Sequence, residues 1–104
     1  MSDKTYNGWK NYETWLIALW IDNEQALQEE ALDIARQHKT GEIYDLTQSL
    51  KEWVEDWPEV SEVIERGSFV SDMLNAAMSE IDWYELAEHY QEDIKDEDEG
   101  DEEE

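Results

Sequence analysis

Residues 43–57 read Ile-Tyr-Asp-Leu-Thr-Gln-Ser-Leu-Lys-Glu-Trp-Val-Glu-Asp-Trp. Ile43, Leu46, Leu50, Trp53, Val54 and Trp57 recur mostly at intervals of three and four, the period of one face of an α-helix. A half-buried strand would alternate every second residue instead. The spacing predicts a helix from about Glu42 to Trp57 with one core-facing stripe. Pro58 then breaks the chain or opens a short helical turn through Arg66, because Pro is tolerated at a first helical position. Gly67 punctuates.

The same period extends in both directions. Asn11 is placed to cap a first helix, from Tyr12 to about Asp22, whose apolar residues wrap most of the way round. That pattern predicts a central helix. A second helix, about Glu24 to His38, repeats at Leu27, Ala31, Ile34, Ala35 and His38, with Lys39 favourable to its dipole and Gly41 as a stop. Phe69 to Ile81 sets Phe69, Val70, Met73, Leu74, Ala77, Met78 and Ile81 on one face. Asp82 and Glu85 resemble a capping box for a last helix with Trp83, Leu86, Ala87, Tyr90 and Ile94 inward. Short strand alternatives exist only at residues 41–44 and 68–70. The expected fold is all-α, a compact bundle of five or six short helices forming one domain over residues 1–94. Residues 95–104 hold no apolar side chain and are expected to be a disordered acidic tail.

Charge narrows the function. Thirty Asp and Glu against seven Lys and Arg give a net charge of −23 over 104 residues. Ten acids against Lys95 leave −9 in residues 92–104, and twenty acids against six bases leave −14 in residues 1–91, so the domain is acidic without its tail. Such a polyanion repels the phosphates of nucleic acid and the surface of an anionic membrane. The longest apolar run, Trp15 to Ile21, falls far short of the ~20 residues needed to span a bilayer. Without Cys there are no disulfides and no thiolate chemistry, which suits a reducing cytoplasm. Six Trp and five Tyr argue for a packed core despite the acidity, since each can bury about 150–250 Å².

Catalytic patterns are absent. Among thirty acids some pair always has suitable spacing, so carboxylate pairing carries no information. His38 and His89, the two histidines, read as packing or surface residues. No nucleophile elbow, phosphate loop or dinucleotide fingerprint appears. A calcium loop centred on Gly100 would start at Lys95, a cation where an acid is required. The sequence predicts a non-enzymatic protein with no cofactor and no dedicated metal site.

The acids fall into two rows. Glu52, Glu55 or Asp56, Glu59, Glu62 and Glu65 recur every three or four residues, as do Asp82, Glu85, Glu88 or His89, Glu92 and Asp96. Neighbours at that spacing lie about 5–6 Å apart on a helix, and duplex DNA carries a phosphate every ~3.4 Å of axis on each strand. Like charges so placed oppose folding, and solubility does not require them, because a net charge of about 2–8 usually suffices. The rows are candidate phosphate surrogates: Glu52, Glu55, Asp56, Glu59, Glu62 and Glu65 in one, Asp82, Glu85, Glu88 and Glu92 in the other. The aromatic group Tyr6, Trp9, Tyr12, Trp15 and Trp20 reads as core, with a partner or dimer surface as the alternative.

The stretch Tyr6-Asn7-Gly8-Trp9-Lys10-Asn11-Tyr12-Glu13-Thr14-Trp15, followed by Ala18-Leu19-Trp20-Ile21-Asp22-Asn23, resembles the opening of a family of small phage- and plasmid-borne proteins of unassigned function. Ser79-Glu80-Ile81-Asp82-Trp83-Tyr84-Glu85-Leu86-Ala87-Glu88-His89 resembles that family's closing segment. The resemblance implies a mobile-element origin. In size, charge and acidic C-terminus the chain is also similar in type to phage antirestriction DNA mimics. The expected function is an anti-defence protein of the host cytoplasm. It would occupy the basic nucleic-acid-binding surface of a host restriction, BREX or CRISPR component, itself binding neither nucleic acid nor membrane. The alternative is a helical adaptor acting through its aromatic surface. A homodimer with an apolar centre is expected, because the aromatic load is large for so small a chain.

Overall fold

The apolar stripes assemble around the last helix. In the computed structural model, which describes residues 6–102 and the side chains of residues 6–96, the chain forms six helices. They are α1 (Tyr12–Asn23), α2 (Gln25–Gln37), α3 (Ile43–Glu55), α4 (Pro58–Arg66), α5 (Phe69–Glu80) and α6 (Trp83–Glu102). No strand occurs among the described residues, as the spacing predicts. The segments at 41–44 and 68–70 are helix entries. Glu42 precedes α3, and Ser68 caps α5. The Ser71 backbone N–H donates to Ser68 Oγ at 3.3 Å, and Ser68 N–H donates back to Ser71 Oγ at 2.8 Å. Pro58 opens α4, and Gly67 ends it at φ 62°, a left-handed conformation that favours glycine.

α6 packs against α1, α2 and α3. Its inward residues Trp83, Leu86, Ala87, Tyr90 and Ile94 are all buried, as expected. Leu46, Leu50 and Val54 of α3, Ala31 and Ala35 of α2, and Ala18 and Ile21 of α1 complete the core. The small alanines of α2 let its backbone approach α6 closely. Burying each of the larger aliphatic side chains contributes about 1.5–3 kcal/mol.

Two expectations are corrected. α1 is not the central helix. It buries only Thr14, Ala18 and Ile21, while Trp20 is 59% exposed. An apolar pattern on every side does not say which side faces inward, and α6, packed on three other helices, takes the centre. Nor does α5 bury its whole apolar face, since Phe69, Val70 and Met73 are exposed. Among the described residues α5 packs chiefly against α4 and α1, so the α4–α5 hairpin stands beside the core. The α6 backbone is helical to Glu102, beyond Ile94, where the acidic tail was expected to begin. Residues 103–104 and the side chains of 97–102, most of that tail, lie outside the described residues.

Candidate protein-binding surface

The N-terminal segment and the α5–α6 junction are joined by a polar network. Asn7 (φ 50°) and Gly8 (φ 90°) form a tight turn closed by the Tyr6 and Trp9 backbones at 2.9 and 2.8 Å. Both central residues need positive φ, which is why Asn-Gly occupies them. The turn sets the Tyr6 ring against Tyr12 (5.1 Å) and Trp15 (5.0 Å). Asn11 Oδ1 accepts from the Thr14 backbone N–H (2.9 Å) and from the Thr14 hydroxyl (2.6 Å), and Asn11 Nδ2 donates to the Glu80 carbonyl (2.7 Å). The Asp82 N–H donates to Thr14 Oγ1 at 2.9 Å.

Only half of the expected capping box at Asp82 forms. Asp82 Oδ1 accepts from the Glu85 N–H at 3.1 Å, while the Asp82 N–H donates to Thr14 and not into a reciprocal box. Glu85 Oε1 accepts from the Lys10 N–H at 3.0 Å. Glu85 is 7% exposed. It therefore cannot act as a surface phosphate surrogate and is withdrawn from its row. Asp82 is half-buried and lies 3.8 Å from Lys10 Nζ, which leaves Glu88 and Glu92 as the exposed phosphate-surrogate candidates of that row.

All six acids of the other row are exposed. The interruption between α3 and α4 at Trp57 divides them. Glu52 and Glu55 close α3 and Asp56 caps it, while Glu59, Glu62 and Glu65 lie on α4. Among the described residues none of the six enters an ion pair. Pairs that do occur include Lys10–Asp82, Arg36–Asp33 and Lys95–Glu92, together with His89 near Asp22 and Asp93. Glu52, Glu55 and Asp56 also sit at the negative end of the α3 dipole, and α3 has no basic residue in its last turn to offset them. The sequence thus maintains carboxylates where they oppose helix stability.

Beside this row runs an apolar groove of about 350 Å³. Leu16, Ile17 and Trp20 of α1 line it together with Leu74, Ala77 and Met78 of α5. Trp57 and Val60 from the α3–α4 junction also contribute, and Glu13 and Glu59 are the charged residues of its lining. Trp57 stacks edge-on against Trp53 at 5.2 Å, and its buried Nε1 has no partner among the described residues. The spacing that marks α5 as apolar did not reveal the groove, because it cannot separate a face packed on the core from one left open.

A second, shallower depression of about 780 Å³ lies along α6, lined by Trp9, Tyr84, Glu88, His89 and Glu92 among others. The Trp9 ring meets His89 at 5.1 Å. The hydrogen bond with Asp22 raises the His89 pKa above its ordinary value, against the opposing effect of partial burial, and Asp93 adds to the rise. Burial first, and Asp22 second, push the neighbouring Tyr90 phenol well above its usual range. It remains a donor, to Asp22 Oδ1 at 3.1 Å. Among the described residues no group of three His, Asp or Glu is arranged to hold a metal ion. No helix there is long and apolar enough to cross a membrane.

The model of a family of unknown function, DUF7249, matches residues 2–102. The chain belongs to DUF7249. Neither the comparison with curated proteins nor that with solved structures gives a match. The DUF7249 match spans the joined segments, the α3–α4 acids and the groove together, so none of these lies outside the family's domain.

Proposed function

We propose that this DUF7249 protein is a non-enzymatic inhibitor of phage or mobile-element origin that occupies the basic, nucleic-acid-binding surface of a host defence protein. The observation that carries this reading is the row Glu52, Glu55, Asp56, Glu59, Glu62 and Glu65. These are six exposed carboxylates without an ion-pair partner among the described residues, held on two packed helices. A partner with a Lys- and Arg-rich cleft gains by pairing with them and by releasing counterions, as it does on DNA. Glu88 and Glu92 on α6 form a shorter second acidic patch.

The test is competition. The partner is captured on immobilised protein, eluted in a salt gradient and titrated in a gel-shift assay with DNA. Wild type displaces DNA, with a potency that falls steeply with salt, and the variant with all six acids changed to Gln or Asn does not. Equal potency of the two proteins overturns the reading. The groove and the exposed Trp20 favour a second reading, an adaptor bound through apolar contacts, whose potency would be insensitive to salt.

A further inference from the structure

We propose that the groove between α1 and α5 receives an amphipathic helix of the target protein, with an apolar stripe facing inward and Lys or Arg along its flanks. This rests on the reading that the target is basic. Leu16, Ile17 and Trp20 line one side and Leu74, Ala77 and Met78 the other. The apolar surface continues along α5 onto Val70 and Met73, both more than half exposed. A helix laid in such a groove uses anchors at i, i+3 or i+4, and i+7. Met73 and Met78 are flexible side chains that adapt to a partner's shape, and Trp is among the residue types enriched as interface anchors, with Trp20 exposed here.

Charge selects the occupant. Glu13 and Glu59 stand in the groove lining, and Glu62 and Glu65 follow on α4. Lys or Arg on both flanks of the incoming helix would meet carboxylates. A second copy of this chain would instead bring −23 against −23. Apolar contact and ionic contact are adjacent here, so one basic amphipathic helix satisfies both, whereas nucleic acid or an acidic peptide brings like charge to the ionic one.

The experiment uses the full chain and three synthetic helical peptides, followed by titration calorimetry at near-physiological salt. One peptide has a Leu stripe with Lys flanks, one has the same composition scrambled, and one has the Leu stripe with Glu flanks. The Lys-flanked peptide binds one to one. Trp20→Ala and Ala77→Glu, each first checked for a wild-type melting temperature, weaken it by roughly tenfold or more. The other two peptides bind at least as weakly as those variants do. Equal binding of the scrambled peptide overturns the proposal and leaves the acidic-surface reading standing, since charge alone then suffices. Equal binding of the Glu-flanked peptide overturns the choice of occupant. If the groove variants bind normally while Glu59→Gln with Glu62→Gln and Glu65→Gln do not, the groove is not the site, though the acids are. A dimer by light scattering that Met73→Glu dissociates assigns the face to a second copy and overturns the proposal.

Discussion

The Thr14 hydroxyl accepts the backbone N–H of Asp82 at 2.9 Å, linking positions 68 apart in the chain. Thr14 is fully buried, and the same hydroxyl donates to Asn11 Oδ1. Thr14→Val keeps the shape but leaves the Asp82 N–H without its acceptor. A buried unsatisfied donor costs about 1–3 kcal/mol. For a domain of this size each kcal/mol lowers the melting temperature by roughly 4–8 °C. Differential scanning calorimetry measures the drop, and a variant that melts with wild type would show that this bond does not hold the two segments together.

Trp83 and Trp20 should separate stability from binding. Trp83 is 9% exposed and Trp20 59%. Trp83→Ala should lose about 3–5 kcal/mol, as for other buried aromatics. Trp20→Ala should lose much less and affect partner binding instead. Urea titration followed by circular dichroism gives both midpoints, and equal losses would contradict the placement of Trp20 at the surface.

His89 makes stability depend on pH. Its pKa is raised in the folded protein, chiefly by the hydrogen bond with Asp22. The stabilisation is therefore fully present below the unfolded value of about 6.5 and is lost as the pH rises through the higher folded value. The difference in melting temperature between wild type and His89→Gln should be largest near pH 6 and shrink on the alkaline side. A difference that grows with pH would reverse the sign and exclude the Asp22 contact as its source.

Relief of repulsion should stabilise the α3 terminus. Glu52→Gln, Glu55→Gln and Asp56→Asn remove three carboxylates from the negative end of a helix. The triple variant should melt above wild type at low salt. The gap should close near 1 M salt, where screening acts within about 3 Å. A variant that melts below wild type at low salt would mean that these side chains make stabilising contacts.

Truncation after Asp96 should leave the fold intact. Ile94 is the last buried side chain among the described residues, and residues 97–104 carry no apolar group. The shortened chain should melt at or slightly above the wild-type temperature, since self-repulsion falls. A clear loss of melting temperature would show that the segment packs.

Helix identity was legible in the sequence because the apolar spacing of residues 43–57 and 83–94 admits only one period. The exposed acids of the α3–α4 row were legible for the same reason, being the complement of the apolar stripe. Depth was not legible. Trp20 and Phe69 have the composition of core residues, yet each lies where no further helix arrives to cover it. Glu85 shows the converse. Its period matches the surface row, but the Lys10 N–H, brought from the far end of the chain, draws it inward. The Asn7-Gly8 pair carries a turn signal that could have located the Tyr6–Trp9 closure.

The stitching of the N-terminal segment to the α5–α6 junction also sets the order in which the protein can be completed. α1 is made first, but the partner of its Thr14 follows 68 residues later. At about 5–20 residues per second that is a wait of roughly 3–14 s. During this interval Leu16 and Ile17 are on offer before α5 exists to shelter them. A nascent chain with its apolar face uncovered is open to aggregation. The dense negative charge that opposes the finished fold would then serve a different purpose, keeping unfinished copies apart until the last helix arrives.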